Sequence, residues 1–369
     1  MFNMLSSGRR IMAGLAVLLT VSAAAPAAHA SAVTLSPTEA FIQTHLYNPN
    51  GTIATRLSSA QSSADPNMAG GRESLSESLG LWMNYAVLKN DAALFKSGYD
   101  QLLRNYLSAS GLVYWKLSAD GTSGVTTNAL IDDHKIIDAL YSANQKWGKP
   151  EYKQMADKLS TFSRTNNGRS GLFADYYDEM SGYVSESVTL SYIVPSALKR
   201  MYSNRQIDKS VMNQNLNLLK TMPTDGTFFP KNYNIATKQF TYDSTINMID
   251  QVYIALHRAQ NGQTSPALYK LIKKDFYAYK YLVAGYDRTT AAPSVTFECP
   301  ALYGLSILYA LESGDRSFAL DLYNRMTVWR VNDPQDPMYG GYVSGGDSYS
   351  FDNLYALLAE QALINLKLI

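Results

Sequence analysis

Asp132-Asp133-His134-Lys135-Ile136-Ile137-Asp138-Ala139-Leu140, closing on Lys146-Trp147-Gly148-Lys149-Pro150-Glu151-Tyr152, is the stretch whose reading decides the fold. Its apolar spacing predicts one helix over 130–146 and another over 150–163, with a link too brief to let the second helix leave the first. Helices joined so closely lie antiparallel, as a hairpin. The same unit recurs on both sides. Leu75, Leu79, Trp82 and Ala86 share a helical face, and Phe95, Leu102, Leu103 and Tyr106 mark the next helix. Ile246, Ile249, Val252, Tyr253 and Leu256 mark another, and Leu354, Leu357, Leu358 and Ala362 the last. The pattern predicts about twelve helices, near 36–46, 73–88, 91–107, 130–146, 150–163, 187–203, 208–221, 245–260, 264–281, 298–312, 315–328 and 352–368.

Linker lengths alternate. Short turns fall after 88, 146, 203, 260 and 312, and long connections run over 108–129, 164–186, 222–244, 282–297 and 329–351. Six hairpins so joined close naturally into an all-α double ring, inner helices inside outer ones. The long loops then gather at one end, at the N-termini of one set of helices, where sites usually form. These loops hold most of the glycine and of the 27 tyrosines. The expected organisation is a leader over 1–30, an N-terminal helix and loop over 31–71, and a single ring domain over 72–369.

The leader reads as a signal peptide. Arg9 and Arg10 precede an apolar run from Ile11 to Ala25, too short for a comfortable membrane span, and Ala28-His29-Ala30 suits cleavage. A secreted or cell-envelope location is expected, with no stable membrane span. Loss of the leader takes the formal net charge from +1 to −1. Such a chain is not built to hold nucleic acid by bulk charge, and it suits a neutral ligand such as a glycan. With Cys299 as the one cysteine no intramolecular disulfide forms, so stability must come from the core. No cofactor or metal is called for. The four histidines make no zinc pattern, the Asn332–Asp336 loop lacks EF-hand spacing, and no P-loop or Gly-x-Ser-x-Gly occurs.

Three helices that follow long loops begin with acids: Glu77, Asp132 with Asp133, and Asp243. Capping accounts for each in isolation. Ser74-x-x-Glu77 has capping-box spacing, and Asp132 and Asp243 suit N-caps. If all three helices belong to the inner ring, however, the carboxylates meet at one mouth. Glycoside hydrolysis needs such a group: an acid for the leaving oxygen and a carboxylate to activate water or attack carbon.

These motifs resemble glycoside hydrolase family 8. Ser76-Glu77-Ser78-Leu79-Gly80, with Asn90-Asp91 and Phe95 beyond it, is similar to the family's opening motif. Tyr114-Trp115, the Asp132–Leu140 helix with its Trp147-Gly148 turn, Ser191-Tyr192-Ile193-Val194-Pro195, Phe240-Thr241-Tyr242-Asp243-Ser244 and Tyr349-Ser350-Phe351-Asp352-Asn353-Leu354 follow in the family's order. The resemblance implies an (α/α)6 toroid and inverting, endo-acting hydrolysis of β-1,4-linked glucan or a related exopolysaccharide. It implies Glu77 as general acid, Asp243 as base, and Asp133, or otherwise Asp132, as the acid that holds the central sugar and its water. Trp115, Tyr192, Tyr242 and Asp352 fall where the family contacts substrate. The departures at Ser78, Leu79, Leu81, Trp82 and Lys135 lie beside the acid. They leave the reaction type better indicated than cellulose as the target, and divergent members of this kind accompany exopolysaccharide synthesis. Two other readings share the toroid: a catalytically idle glycan-binding protein, and a lyase or glucuronyl hydrolase.

Overall fold

The computed structural model describes residues 35–59 and 67–369. The leader and its cleavage site lie outside the described residues. Ser36–Ile369 forms one compact unit.

Twelve α-helices run through the described residues: α1 (Pro37–Phe41), α2 (Ser76–Lys89), α3 (Ala92–Gln101), α4 (Leu130–Trp147), α5 (Pro150–Phe162), α6 (Pro195–Ser203), α7 (Lys209–Thr221), α8 (Met248–Gln260), α9 (Pro266–Tyr279), α10 (Pro300–Glu312), α11 (Arg316–Met326) and α12 (Ser350–Asn365). Local chemistry sets their ends. Gly148, at φ +67°, ends α4 in the left-handed region, and Pro150 starts α5 two residues later with the φ a first helical turn needs. Asp91 and Asp315 accept from Leu94 and Phe318 backbone N–H groups and cap α3 and α11.

The packing is the predicted double ring. α2 packs on α4, α4 on α6, α6 on α8, α8 on α10, α10 on α12, and α12 back on α2. Around these six lie α1 on α12, α3 on α2, α5 on α4, α7 on α6 and α11 on α10. α9 joins the outer set through Tyr269, edge-on to Tyr309 of α10, and Phe276, edge-on to Phe318 of α11. The architecture is an (α/α)6 toroid. The inner helices are apolar on nearly all sides because they are enclosed, as Leu302, Tyr303, Leu305, Ile307 and Ala310 of α10 show. Gly304 lets α10 approach α12 so closely that a Cβ there would lie 2.5 Å from the Tyr355 carbonyl oxygen. No described helix is long and apolar enough to cross a membrane.

Two helices begin later than their periodicity predicts. Ser187–Thr189 and Thr245–Asn247 are strands, paired with Asn232–Asn234 and Gly285–Asp287. Their alternation, with Val188 and Ile246 buried between more open neighbours, is a strand pattern that runs straight into a helical one. Short pairings of this kind tie the long loops to the inner-helix N-termini. Ser74–Leu75 pairs with Lys116–Leu117 just before α2 in the same way.

Candidate active site at the mouth of the ring

The predicted caps are not caps. Ser74 lies in the strand before α2, where its hydroxyl donates to Thr52 Oγ1 at 2.8 Å and accepts from Asn48. Leu75 takes the N-cap position with no side-chain bond, so there is no capping box. Ala129 takes that position for α4. For α8 it is Asn247, whose side chain accepts from the Ile249 N–H at 2.9 Å, and Asp243 stands four residues upstream in the loop. Strand pairing before the helices fixes the backbone and moves each start downstream.

Two of these acids, Glu77 and Asp132, meet in a cleft. A cavity of about 370 Å³ at the inner-helix N-termini is lined by Glu77, Asp132 and Asp250, with Trp115, Tyr192, Tyr253 and Phe351 among the walls. A second cavity of about 600 Å³, lined by Asp175, Tyr176, Asp178 and Tyr183, shares Trp115, Ala129 and Tyr192 with the first. The two therefore form one elongated cleft. Among the described residues, neither cavity has a lysine or arginine in its lining.

Glu77 lies in the first turn of α2, with one oxygen 3.6 Å from Lys135 Nζ and a side chain 24% exposed. Burial raises its pKa above the ordinary carboxylate value, and the Lys135 ammonium opposes that shift. Lys135 is held beneath it by Tyr253 and Tyr355, donating to their hydroxyls at 2.8 and 3.1 Å. Asp132 reaches across to the start of α2, where it accepts from Ser76 Oγ at 2.6 Å and from the Glu77 N–H. Burial, and then the Glu77 charge, push its pKa up to about 7. Two neighbouring carboxyls thus resist joint ionisation, which keeps a proton available to the pair near neutrality.

The other predicted residues are placed differently. Asp133 is buried away from the cleft, accepts from Asn128 Nδ2 at 2.6 Å, and leaves Oδ1 without a partner. Burial raises its pKa well above the ordinary value. Of the two aspartates on α4, the structure brings Asp132 and not Asp133 to the cleft. One residue of helix turns the side chain by about 100°. Asp243 lies outside both cavity linings, 45% exposed, paired with Lys231 at 3.0 Å. Tyr242 is exposed under the Arg288 guanidinium, which lies 5.2 Å from its ring centroid. Asp352 accepts from the Ala301 N–H at 2.9 Å, near the start of α10, and lines a separate cavity of about 320 Å³. Trp115 and Tyr192 stand at the junction of the two parts of the cleft.

Sequence reasoning missed Asp250. It sits in the first turn of α8, and its Oδ1 accepts from Ser191 Oγ at 2.9 Å. The signal was present: a carboxylate directly follows Ile249 in the apolar stripe of α8 and precedes Tyr253 by three residues. Lys135, already singled out in the sequence as a departure beside the acid, is buried in the structure.

Comparison with known proteins agrees with the fold. Residues 16–276 match Glycosyl hydrolases family 8. The chain is a family 8 glycosyl hydrolase. Among relatives, YdaJ of Bacillus subtilis (strain 168), named as a candidate lipoprotein, is 39% identical over 340 residues, covering 92% of this chain and 90% of its own. A Clostridium perfringens protein described as a novel alpha-amylase superposes with a TM-score of 0.78 at 24% identity, covering 88% of this chain and 95% of that one. PssZ of Listeria monocytogenes gives 0.71 at 24%, covering 89% and 96%. The endo-beta-1,4-glucanase CMCax of Acetobacter xylinum gives 0.59 at 17%, covering 89% and 98%. At these identities the superpositions speak to the toroid that this family 8 enzyme shares with them.

Proposed function

We propose that this family 8 hydrolase is an inverting, endo-acting enzyme that cleaves a neutral glucan, β-1,4-linked or a related exopolysaccharide, outside the cytoplasm. Glu77 is its general acid. The observation that carries the reading is a long cleft, walled by aromatics, with Glu77 and Asp132 side by side in one part of it and both pKa values raised. An acid so held protonates the leaving oxygen, and a carboxylate across the cleft activates water on the other face of the sugar. The open arm beyond Trp115 and Tyr192 supports binding along a chain and attack within it. Five carboxylates and no cation in the lining disfavour uronic acids, which speaks against a lyase or glucuronyl hydrolase. The lipoprotein name of YdaJ and the leader support a cell-envelope location, and the likeness to PssZ is consistent with a link to exopolysaccharide synthesis.

Reducing-end release is the test, across β-glucans, β-xylan, chitosan, amylose and the host's own exopolysaccharide. Wild type should release reducing ends from at least one polymer, and Glu77→Gln should lose at least about a hundredfold in kcat while still binding it. A wild type that binds oligosaccharide and never releases reducing ends would instead identify an idle glycan-binding protein.

A further inference from the structure

The two ends of the ring differ in charge. The mouth carries the cleft, whose linings hold carboxylates and, among the described residues, no lysine or arginine. The opposite end carries the C-termini of the inner helices and the short turns. Hydrogen bonds join much of that end into one surface. Asn365, at the end of α12, donates to the Leu88 carbonyl at the end of α2 at 3.0 Å. Trp147, at the end of α4, donates to Asn90 Oδ1 at 3.2 Å. Arg200, in the last turn of α6, donates to Gln145 Oε1 at 2.9 Å. Across these segments, 88–93, 144–151, 199–210 and 364–369, the exposed charged side chains are Lys146, Lys149, Lys199, Arg205, Lys209 and Lys367 against Glu151 and Asp208. Tyr202, Ile364, Leu366 and Ile369 are exposed among them. The formal net charge of +1 hides this division.

Local structure accounts for two of the six cations. Lys146 and Lys199 donate to the Val87 and Gln260 carbonyls, which helix C-termini leave open. The other four run against it. Lys149 is the N-cap of α5 and Lys209 the first residue of α7, where the helix dipole favours acids. Arg205 and Lys367 hold left-handed backbone, at φ +60° and +55°, where glycine or asparagine costs less. Cations kept at a local cost, with apolar side chains between them, match an anionic bilayer, whose headgroups take the charge and whose acyl boundary takes the apolar groups. A soluble polyanion would leave Ile364, Leu366 and Ile369 without a partner. α1 also begins at this end, where Glu39 accepts from Lys89 Nζ, the last residue of α2, at 2.8 Å.

We propose that this end of the ring docks on an anionic phospholipid surface, with the cleft turned away from it. The proposal stands apart from the catalytic reading above. Vesicle sedimentation tests it, with the chain from Ser31, the expected exported form. That chain should bind phosphatidylcholine vesicles carrying about a third phosphatidylglycerol, release them at about 0.5 M salt, and ignore pure phosphatidylcholine. The combined variant Lys149→Glu, Arg205→Asn, Lys209→Glu, Lys367→Asn gives each position a residue that its backbone favours, so it should fold as well as wild type. Its partitioning should fall roughly 10²- to 10³-fold, at about fivefold per cation. Lys238→Asn with Lys280→Asn is the control. These two lysines hold the same left-handed backbone, one in the loop before α8 and one at the mouth-side end of α9, and their loss should leave binding within about twofold. Failure to bind the anionic vesicles, equal binding by the fourfold variant, or inorganic polyphosphate bound as tightly as the vesicles would overturn the proposal.

Discussion

Replacing Lys135 with Met isolates one electrostatic contact of the proposed acid. The Lys135 ammonium lies 3.6 Å from Glu77 Oε1, on side chains 9% and 24% exposed. At that separation two unit charges attract by about 5 kcal/mol at an effective dielectric of 20, and by about 1 kcal/mol in water. For a pair facing a cleft, roughly 2 kcal/mol is a reasonable middle value, or a thirtyfold change in the ratio of protonated to ionised Glu77. Lys135 favours the ionised form. Its loss raises the Glu77 pKa, and Glu77 must be protonated to act. The alkaline limb of the kcat/KM profile therefore moves to higher pH, and activity persists where the wild type has lost it. Met fills much of the space of Lys, and the Tyr253 and Tyr355 hydroxyls still bond each other, so neither is left orphaned. The assay is a pH–rate profile of both proteins on one polymer, with melting curves to confirm folding. An alkaline limb that stays fixed or moves to lower pH in a folded variant would refute Glu77 as the acid that Lys135 modulates.

Asp132→Asn removes the charge beside Glu77 and keeps the acceptor for Ser76, so the alkaline limb should move to lower pH and kcat should fall about a hundredfold. Trp115→Ala should raise KM about five- to thirtyfold with a smaller effect on kcat, since the ring lines both parts of the cleft and a lost ring face is worth about 1–2 kcal/mol. Asp175 has its pKa raised to about 6, chiefly by burial, from an ordinary value of 3.8. The folded state thus holds this proton more tightly than the unfolded chain, and the contribution is complete below 3.8 and lost as the pH rises towards 6. Melting temperatures of Asp175→Asn across that window should fall less steeply with pH than those of wild type. Gly304→Ala would place a Cβ 2.5 Å from the Tyr355 carbonyl oxygen and 2.6 Å from its carbon. That overpacking should cost about 1–3 kcal/mol, and the melting temperature should drop by about 2–8 °C.

Much of the fold was legible because hairpins are local. Apolar spacing over ten to fifteen residues and a two- or three-residue link suffice to set one, as in α4, Gly148 and α5. The helix starts near 187 and 245 were misread because Val188 and Ile246 fit a helical stripe and a buried strand equally well. Strand pairing with residues some forty positions away settles that ambiguity, and a local window does not contain them.

The site divided along the same line. The sequence by itself determined the double ring, the placing of Glu77 and of Asp132 with Asp133 at inner-helix starts, and the family. Those features depend on residue type and short spacing. Only the tertiary structure decided which acids face the cleft. Asp132 and Asp133 are adjacent and chemically identical, yet the rotation of α4 against α2 sends one to Ser76 and Glu77 and the other into a buried pair with Asn128. Asp243 carries the familiar motif, and Asp250 lies seven residues later. The paired strand at Thr245–Asn247 delays the start of α8, puts Asp250 in its first turn facing the cavity, and leaves Asp243 outside the lining with Lys231.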